Sequence, residues 1–345
     1  VCSSDLVKLI PNQISCSPEW EIFCTLRLER MRPMVKKIIL DCDPGHDDAL
    51  AMTLAVANPA IDLVAVTTSA GNQTPDKTLN NALRMLTLLK RTDIPVAAGA
   101  QVPLVKPLET APKVHGETGL DGANLPEPGF LPQSLPAIEL MARVLQESTA
   151  KVTLVVTGPM TNAALFLRTC PDLAREKIDR IVFMGGAMGL GNWQPSVEFN
   201  IFVDPEAAKI VLNFGLPLVM VPLNVTHQAQ ITKPEIDEIA QLDNPVAQAF
   251  VGLLNFFERY HEDPKWGFVG APLHDPCTIA WLINPALFDG VNVNVDVETT
   301  GELTRGETVC DYYHLTGKPV NTKLILKVDR AGFISLVKES LASFG

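Results

Sequence analysis

From Lys36 onward the apolar positions fall into short runs separated by stretches of helical period. Lys36–Leu40, Ile61–Thr67, Val152–Val156, Arg180–Met184 and Leu216–Val221 are brief, β-branched and mostly bounded by Gly or Pro, which predicts buried strands. Ala49 to Asn58 is apolar and helix-prone and stops before Pro59. Thr74, as a cap, and Pro75 start a second helix, on which Leu79, Ala82, Leu83 and Leu86 share a face. Asp204-Pro205-Glu206 and Asp275-Pro276 are two more starts of the same kind. Alternating strands and helices with continuous apolar strands predict an α/β fold: a mostly parallel, Rossmann-like central sheet covered by helices on both faces. Near the C-terminus Val291, Val293, Val295 and Val297 alternate with polar residues, which predicts a half-exposed antiparallel edge strand.

Composition narrows the class. The 345 residues are 47% hydrophobic and 19% charged, so a sizeable core is expected, in one domain spanning residues 35–345. Residues 1–34 show no clear period and lack the basic-then-apolar order of a signal peptide. They read as an N-terminal extension, foreign to the domain or poorly ordered. The net charge, 28 − 39 = −11, argues against nucleic acid as a partner. No apolar stretch approaches the length of a membrane span. Seven cysteines without a CxxC pair suggest reduced thiols in a cytoplasm, neither a disulfide frame nor a zinc site.

The chemistry concentrates in Asp41-Cys42-Asp43-Pro44-Gly45-His46-Asp47-Asp48. Four carboxylates stand where a strand ends and a helix begins. Asp41 and Asp43 are two apart on extended chain and share a face, while Asp47 and Asp48 fall in a first helical turn. Such a group repels itself unless a cation neutralises it, and an oxygen-seeking divalent ion is the natural partner. A helix cap accounts for one or two of the four, not all. Gly71-Asn72-Gln73, Thr157-Gly158-Pro159 and Gly185-Gly186 also follow predicted strands, and in open α/β sheets ligands bind beyond those carboxyl ends. The Pro- and Gly-rich stretch 103–136 carries His115, placed either over a ligand or in a surface turn.

Asp41 to Asp48 matches a DxDPGxDD signature, and the match extends to other blocks. Gly71-Asn72-Gln73-Thr74, His115-Gly116-Glu117-Thr118-Gly119, Met184-Gly185-Gly186, Asn192, Glu198-Phe199-Asn200, Val203-Asp204-Pro205-Glu206 and His274-Asp275-Pro276-Cys277 occur in the same order. The chain from Lys36 on resembles the inosine-uridine-preferring nucleoside hydrolases. In texture, especially Trp266-Gly267-Phe268 ahead of His274-Asp275, it is most similar to the bacterial pyrimidine-specific ribonucleoside hydrolases.

The resemblance implies hydrolysis of the N-glycosidic bond of ribonucleosides, pyrimidine-preferring and dependent on Ca²⁺, giving ribose and free base for nucleoside salvage. It implies Asp43, Asp48, the Thr157 carbonyl and Asp275 as calcium ligands, with Asp41 supporting them from behind. Asp43 is the implied base and His274 the implied partner of the leaving base. Asp47, Asn72, Met184, Asn192, Glu198 and Asn200 match ribose-pocket positions, and His115 and Trp266 positions near the base. His261 and Glu262 fall in the same variable segment as Trp266. His46, His227 and His314 are given no catalytic role, and Cys42 and Cys277 are read as packing residues. A homo-oligomer, tetramer or dimer, is also implied. Broad inosine-uridine specificity, a metal-dependent phosphatase and a non-catalytic nucleoside-binding protein remain open alternatives.

Overall fold

The computed structural model describes residues 35–345. The expected extension 1–34 lies outside the described residues. Among the described residues the strands are β1 (Lys36–Cys42), β2 (Ile61–Thr68), β3 (Val96–Ala98), β4 (Val152–Val156), β5 (Ile178–Met184), β6 (Leu218–Val221), β7 (Gln230–Ile231), β8 (Ala271–Pro272), β9 (Phe288–Val297), β10 (Thr308–Asp311) and β11 (Thr322–Val328). Nine form one sheet in the order β10-β9-β11-β6-β5-β4-β1-β2-β3, and β7 pairs with β8 apart from it. From β11 to β3 every pairing is parallel. The mostly parallel α/β sheet expected from the sequence is therefore present.

Two details differ from expectation. β1 runs on to Cys42, so Asp41 is a strand residue paired with Thr67 and Val156. β9 carries the alternating valines, but it is not the edge. It lies antiparallel between β11 and β10, with Val293, Val295 and Val297 buried, and β10 is the outer strand. β3, β10 and β11 had no distinct signal, because they are short or carry lysines among their apolar residues.

Side-chain alternation along β1 feeds two cores. Ile38, Leu40 and Cys42 meet the helices His46–Ala57, Pro245–His261, Pro276–Ile283 and Arg330–Ala342 on one face. Ile39 meets Ala137–Glu147, Thr161–Thr169 and Pro205–Leu212 on the other. Helix His46–Ala57 is buried from His46 through Ala55, which is why its sequence is apolar all round. Its Leu50 is fully buried, and truncation to Ala would cost about 2–5 kcal/mol.

The chain runs from β1 outward through β2 and β3, then returns to place β4 on the other side of β1. The strand order reverses between β1 and β4. Helices that follow these two strands diverge to opposite faces and leave a crevice at the carboxyl ends. Asp43 to Asp48 follows β1 there, and Thr157 follows β4.

Candidate active site

The crevice floor is acidic and buried. Asp41, Asp43 and Asp48 are fully buried, and Asp47 and Asp275 are nearly so. Asp41 Oδ1 accepts from Thr67 Oγ1 at 2.7 Å and Asn162 Nδ2 at 2.8 Å. Asp48 is held on both oxygens: Thr157 Oγ1 donates to Oδ1 at 2.7 Å, and Gly45 N and Asn72 Nδ2 donate to Oδ2 at 3.0 Å each. It therefore accepts the N-cap amide of its own helix as well as facing the site. Asp275 begins helix Pro276–Ile283 but its carboxylate caps nothing, contrary to the usual role of Asp at that position. Asp204 behaves conventionally and accepts from the Ala207 amide at 3.0 Å, whereas Thr74 makes no side-chain cap.

Asp43 has one engaged and one free oxygen. Oδ2 accepts from the Asn72 amide at 2.6 Å, while Oδ1 is buried without a partner. Two glycines make this possible. A Cβ at Gly71 would overlap Oδ2, and one at Gly158 would stand 2.5 Å from Oδ1. Glycine at both strand ends leaves room for the Asp43 carboxylate.

Electrostatics follow from burial. It raises the Asp41 carboxyl to about 7 against the pull of Asn162 and Thr67. Burial, then Asp48, raises Asp47 to about 7. Burial also raises Asp48, and burial with Asp48 raises Asp43 well above the carboxylate range. Asp275 is raised well above it by burial, then by Asp47 and Asp48. Water is excluded and like charges are crowded, so these groups need a compensating positive charge to ionise together.

A hard cation fits the donor set. Asp47, Asp48 and Asp275 each offer a carboxylate oxygen, all within 4.8 Å of one another. Asp43 Oδ1 and Asp41 Oδ2 are further buried oxygens without a hydrogen-bond partner. All these donors are oxygens, the preference of Ca²⁺ or Mg²⁺. Of the three carboxylates implied as ligands, Asp48 and Asp275 converge, joined by Asp47. Asp43 stands outside that trio, tied to the β2 loop through Asn72.

Beside the floor is a polar rim. Glu198 opens helix Phe199–Val203 and accepts from the Gly186, Asn200 and Ile201 amides at 2.9, 2.8 and 3.2 Å. Burial nevertheless raises it to about 7. Asn200 Nδ2 donates to the carbonyls of Thr157 at 2.7 Å and Met184 at 3.2 Å, which ties the ends of β4 and β5 together. Asn192 accepts from the Phe199 amide at 3.0 Å. Asn72, Met184, Asn192, Glu198 and Asn200 all line one cleft with Asp47, Thr157 and Asp275.

The opposite wall is aromatic and histidine-rich. Phe257, Tyr260 and His261 share a face at the end of helix Pro245–His261, and Trp266 and Phe268 stack at 6.1 Å just beyond it. His274 lines the cleft, and its Nδ1 is 2.8 Å from Thr226 Oγ1. Burial, then the neighbouring His227 and His261, push its imidazole well below the usual range. His115 is buried and lines the cleft, which removes the surface-turn alternative. His46 backs it, with the two Nδ1 atoms 3.2 Å apart.

Glu262 and His314, both weighed in the sequence, do not line the cleft. Glu262 is exposed and points away, because the helix ends at His261 and the wall is made by the preceding turn. His314 is exposed on a remote turn. His227 does line the cleft, T-shaped to Phe268 at 4.9 Å. Tyr260 and Phe257 were missed, although Tyr260 and His261 follow Phe257 by three and four residues, which sets both beside it on the helix. Cys42 and Cys277 are buried, with thiols pushed up by burial first and by nearby aspartates next, so neither is a nucleophile. Among the described residues no helix is long and apolar enough to cross a membrane.

Comparison with known proteins gives this geometry its place. The family model for inosine-uridine preferring nucleoside hydrolases matches residues 38–335. Proteins named pyrimidine-specific ribonucleoside hydrolase RihA from Shewanella sp. (strain MR-4) and Klebsiella pneumoniae (strain 342) are 61% and 60% identical over 311 residues. The matches cover 90% of this chain and 98% and 100% of the relatives. Among solved structures, the purine-preferring ribonucleoside hydrolase of Gardnerella vaginalis superposes with a TM-score of 0.84 at 28% identity, over 90% of this chain and 99% of that one. The plant nucleoside hydrolase PpNRh1 gives 0.83 at 31%, over 89% and 99%. The acidic crevice therefore has a family: this chain belongs to the inosine-uridine preferring nucleoside hydrolases and is an enzyme that hydrolyses nucleosides.

Proposed function

We propose that the enzyme cleaves pyrimidine ribonucleosides, uridine and cytidine, to ribose and free base with Ca²⁺ as its cofactor. The observation that carries this is the set of four buried carboxylates, Asp43, Asp47, Asp48 and Asp275, on the floor of a cleft whose far wall is aromatic. The names of the relatives at 60–61% identity support the pyrimidine preference.

Asp48, Asp275, the Thr157 carbonyl and Asp43 would hold the ion, and Asp41 would steady Asp43 and the strand end. When bound, the ion supplies Lewis-acid polarisation of the attacking water and an anchor for the ribose hydroxyls. Asp43 Oδ1 takes the water proton as the new C1′–O bond forms. Asp47, Asn72, Asn192, Glu198 and Asn200 hold the ribose, since carboxylates and amides pair with hydroxyls that both donate and accept. The acidic floor stabilises the oxocarbenium character that grows on C1′. The pair of electrons of the C1′–N1 bond leaves with the base, and His274 hydrogen-bonds the charge that develops there, as a neutral imidazole can. His115, Met184 and Trp266 close the space around sugar and base.

We also infer a cytoplasmic homo-oligomer. The free thiols of Cys42, Cys170, Cys277 and Cys310 suit a reducing compartment. Exposed Val309, Tyr313 and Leu315 beside the outer strand β10 suit a subunit contact. The test of the function is reducing-sugar release from uridine, cytidine and inosine, with and without a calcium chelator. Uridine or cytidine turnover that stops on chelation and returns with Ca²⁺ is the expected result. Activity indifferent to chelation would overturn the cofactor assignment, and dominant inosine turnover the base preference.

A further inference from the structure

The bond between Thr226 and His274 decides which face of the imidazole chemistry the substrate meets. Thr226 lies in the short helix Leu223–Thr226 and is fully buried. Its Oγ1 is 2.8 Å from His274 Nδ1, a contact in which either atom could carry the hydrogen. Among the described residues the Thr226 hydroxyl has no other acceptor within reach. A buried hydroxyl hydrogen left without an acceptor costs about 1–3 kcal/mol. The hydroxyl therefore donates, and Nδ1 accepts.

An imidazole keeps at least one ring hydrogen, so a nitrogen that accepts leaves it on the other. With Nδ1 as acceptor, the hydrogen is on Nε2, the remaining ring nitrogen of a side chain that lines the cleft. No other hydrogen bond reaches this ring among the described residues. His227 and His261 flank it at centroid distances of 5.7 and 6.4 Å as aromatic neighbours and do not compete for either nitrogen.

We propose that Thr226 is a positioning residue that locks His274 in the tautomer donating from Nε2 to the leaving base. The inference rests on the role given to His274 above. A pyrimidine offers carbonyl oxygens, and these gain negative charge as the C1′–N1 electron pair moves into the ring. An Nε2–H hydrogen bond strengthens along that path, whereas an Nε2 lone pair would repel the same oxygen. His274 keeps its hydrogen throughout. The water proton goes to Asp43, and the departed base collects a proton from solvent.

The experiment compares Thr226→Val, which keeps the shape and loses the hydroxyl, with Thr226→Ser and with His274→Ala. Each is assayed on uridine and on p-nitrophenyl β-D-ribofuranoside, whose phenolate leaves without help. Thr226→Val should lower kcat on uridine on the order of a hundredfold with little change in KM, and retain most of its rate on the aryl riboside. Thr226→Ser should restore uridine turnover. In wild type, the ¹⁵N spectrum should show a pyrrole-like Nε2 and a pyridine-like Nδ1 at His274. Equal loss on both substrates would mean that Thr226 merely supports the fold, and would overturn the inference. So would undiminished uridine turnover by Thr226→Val beside a damaged His274→Ala. Full uridine activity in His274→Ala would instead remove the role of His274 itself.

Discussion

The floor and the far wall of the cleft are built by different means. The floor grows from strand ends: Asp41, Asp43, Asp48 and Thr157 are fixed by parallel pairing and by bonds from Asn72, Asn162 and Thr67. Most of its polar atoms are engaged, while Asp41 Oδ2 and Asp43 Oδ1 are buried without a partner. The wall grows from one helix end and the turn beyond it, and its rings touch mainly each other. The buried Trp266 Nε1 has no partner at all. A floor held by the sheet can serve one reaction throughout a family. A wall held by side-chain packing can change without disturbing it. That contrast matches a family whose members carry purine and pyrimidine names on one fold.

The sharpest way to break the contrast is through the sugar. If the floor and rim are built to bond ribose hydroxyls, 2′-deoxyuridine should be hydrolysed about 10⁴-fold less efficiently than uridine, since buried partners are left unpaired. Comparable kcat/KM values would place the ribose elsewhere. Next comes Asp43→Asn, which keeps the shape and removes the proton acceptor. It should lower kcat on the order of 10³-fold, measured by base release at saturating uridine. A variant with near-normal kcat would dismiss Asp43 as the base.

The wall has its own signature in pH. Burial holds His227 and His261 at about 4, against 6.5 for a free imidazole. The unfolded chain therefore takes up protons first as the pH falls. Stability from these neutral rings is complete above 6.5 and is lost on the way down to about 4. A difference of 6.5 − 4 = 2.5 corresponds to a ceiling of ~3 kcal/mol for each ring. Urea unfolding of the calcium-saturated enzyme between pH 7 and 4.5 should show the decline, and His261→Phe should flatten it. An unchanged slope would locate the acid sensitivity elsewhere.

The floor answers to the ion instead. Calcium at a hundred times its dissociation constant should add about 2.7 kcal/mol to stability at neutral pH. An unshifted melting temperature would argue against an ion among Asp43, Asp48 and Asp275. The smallest expected effect belongs to the wall. Trp266→Ala should raise KM for uridine about tenfold and leave kcat nearly intact, because it removes contact area and no reacting group. A large fall in kcat would make the wall part of the chemistry.

Legibility followed the same division. Much of the floor could be read residue by residue because four of its carboxylates sit within eight positions of one strand end. By pattern Asp275 was legible only as an Asp-Pro helix start; its place on the floor came from the resemblance. The sheet was legible because buried parallel strands are continuous apolar runs. β3 and β11 escaped, being three residues long in one case and interrupted by lysines in the other. β9 was read as an edge because alternation reports which side of a strand is buried and is silent about what pairs with its rims.

By itself, the sequence determined the α/β class, the acidic nest at the end of β1 and its oxygen-only character, since these depend on local spacing and side-chain type. Tertiary structure alone decided that Asp275, more than two hundred residues away, joins Asp47 and Asp48, and that Asp43 keeps a bare oxygen beside them. It also decided that His227, Tyr260 and Phe257 form a wall while Glu262 faces water. The reason is geometric: strand order and the end of a helix set which distant residues meet, and neither leaves a mark on the local pattern of polar and apolar positions.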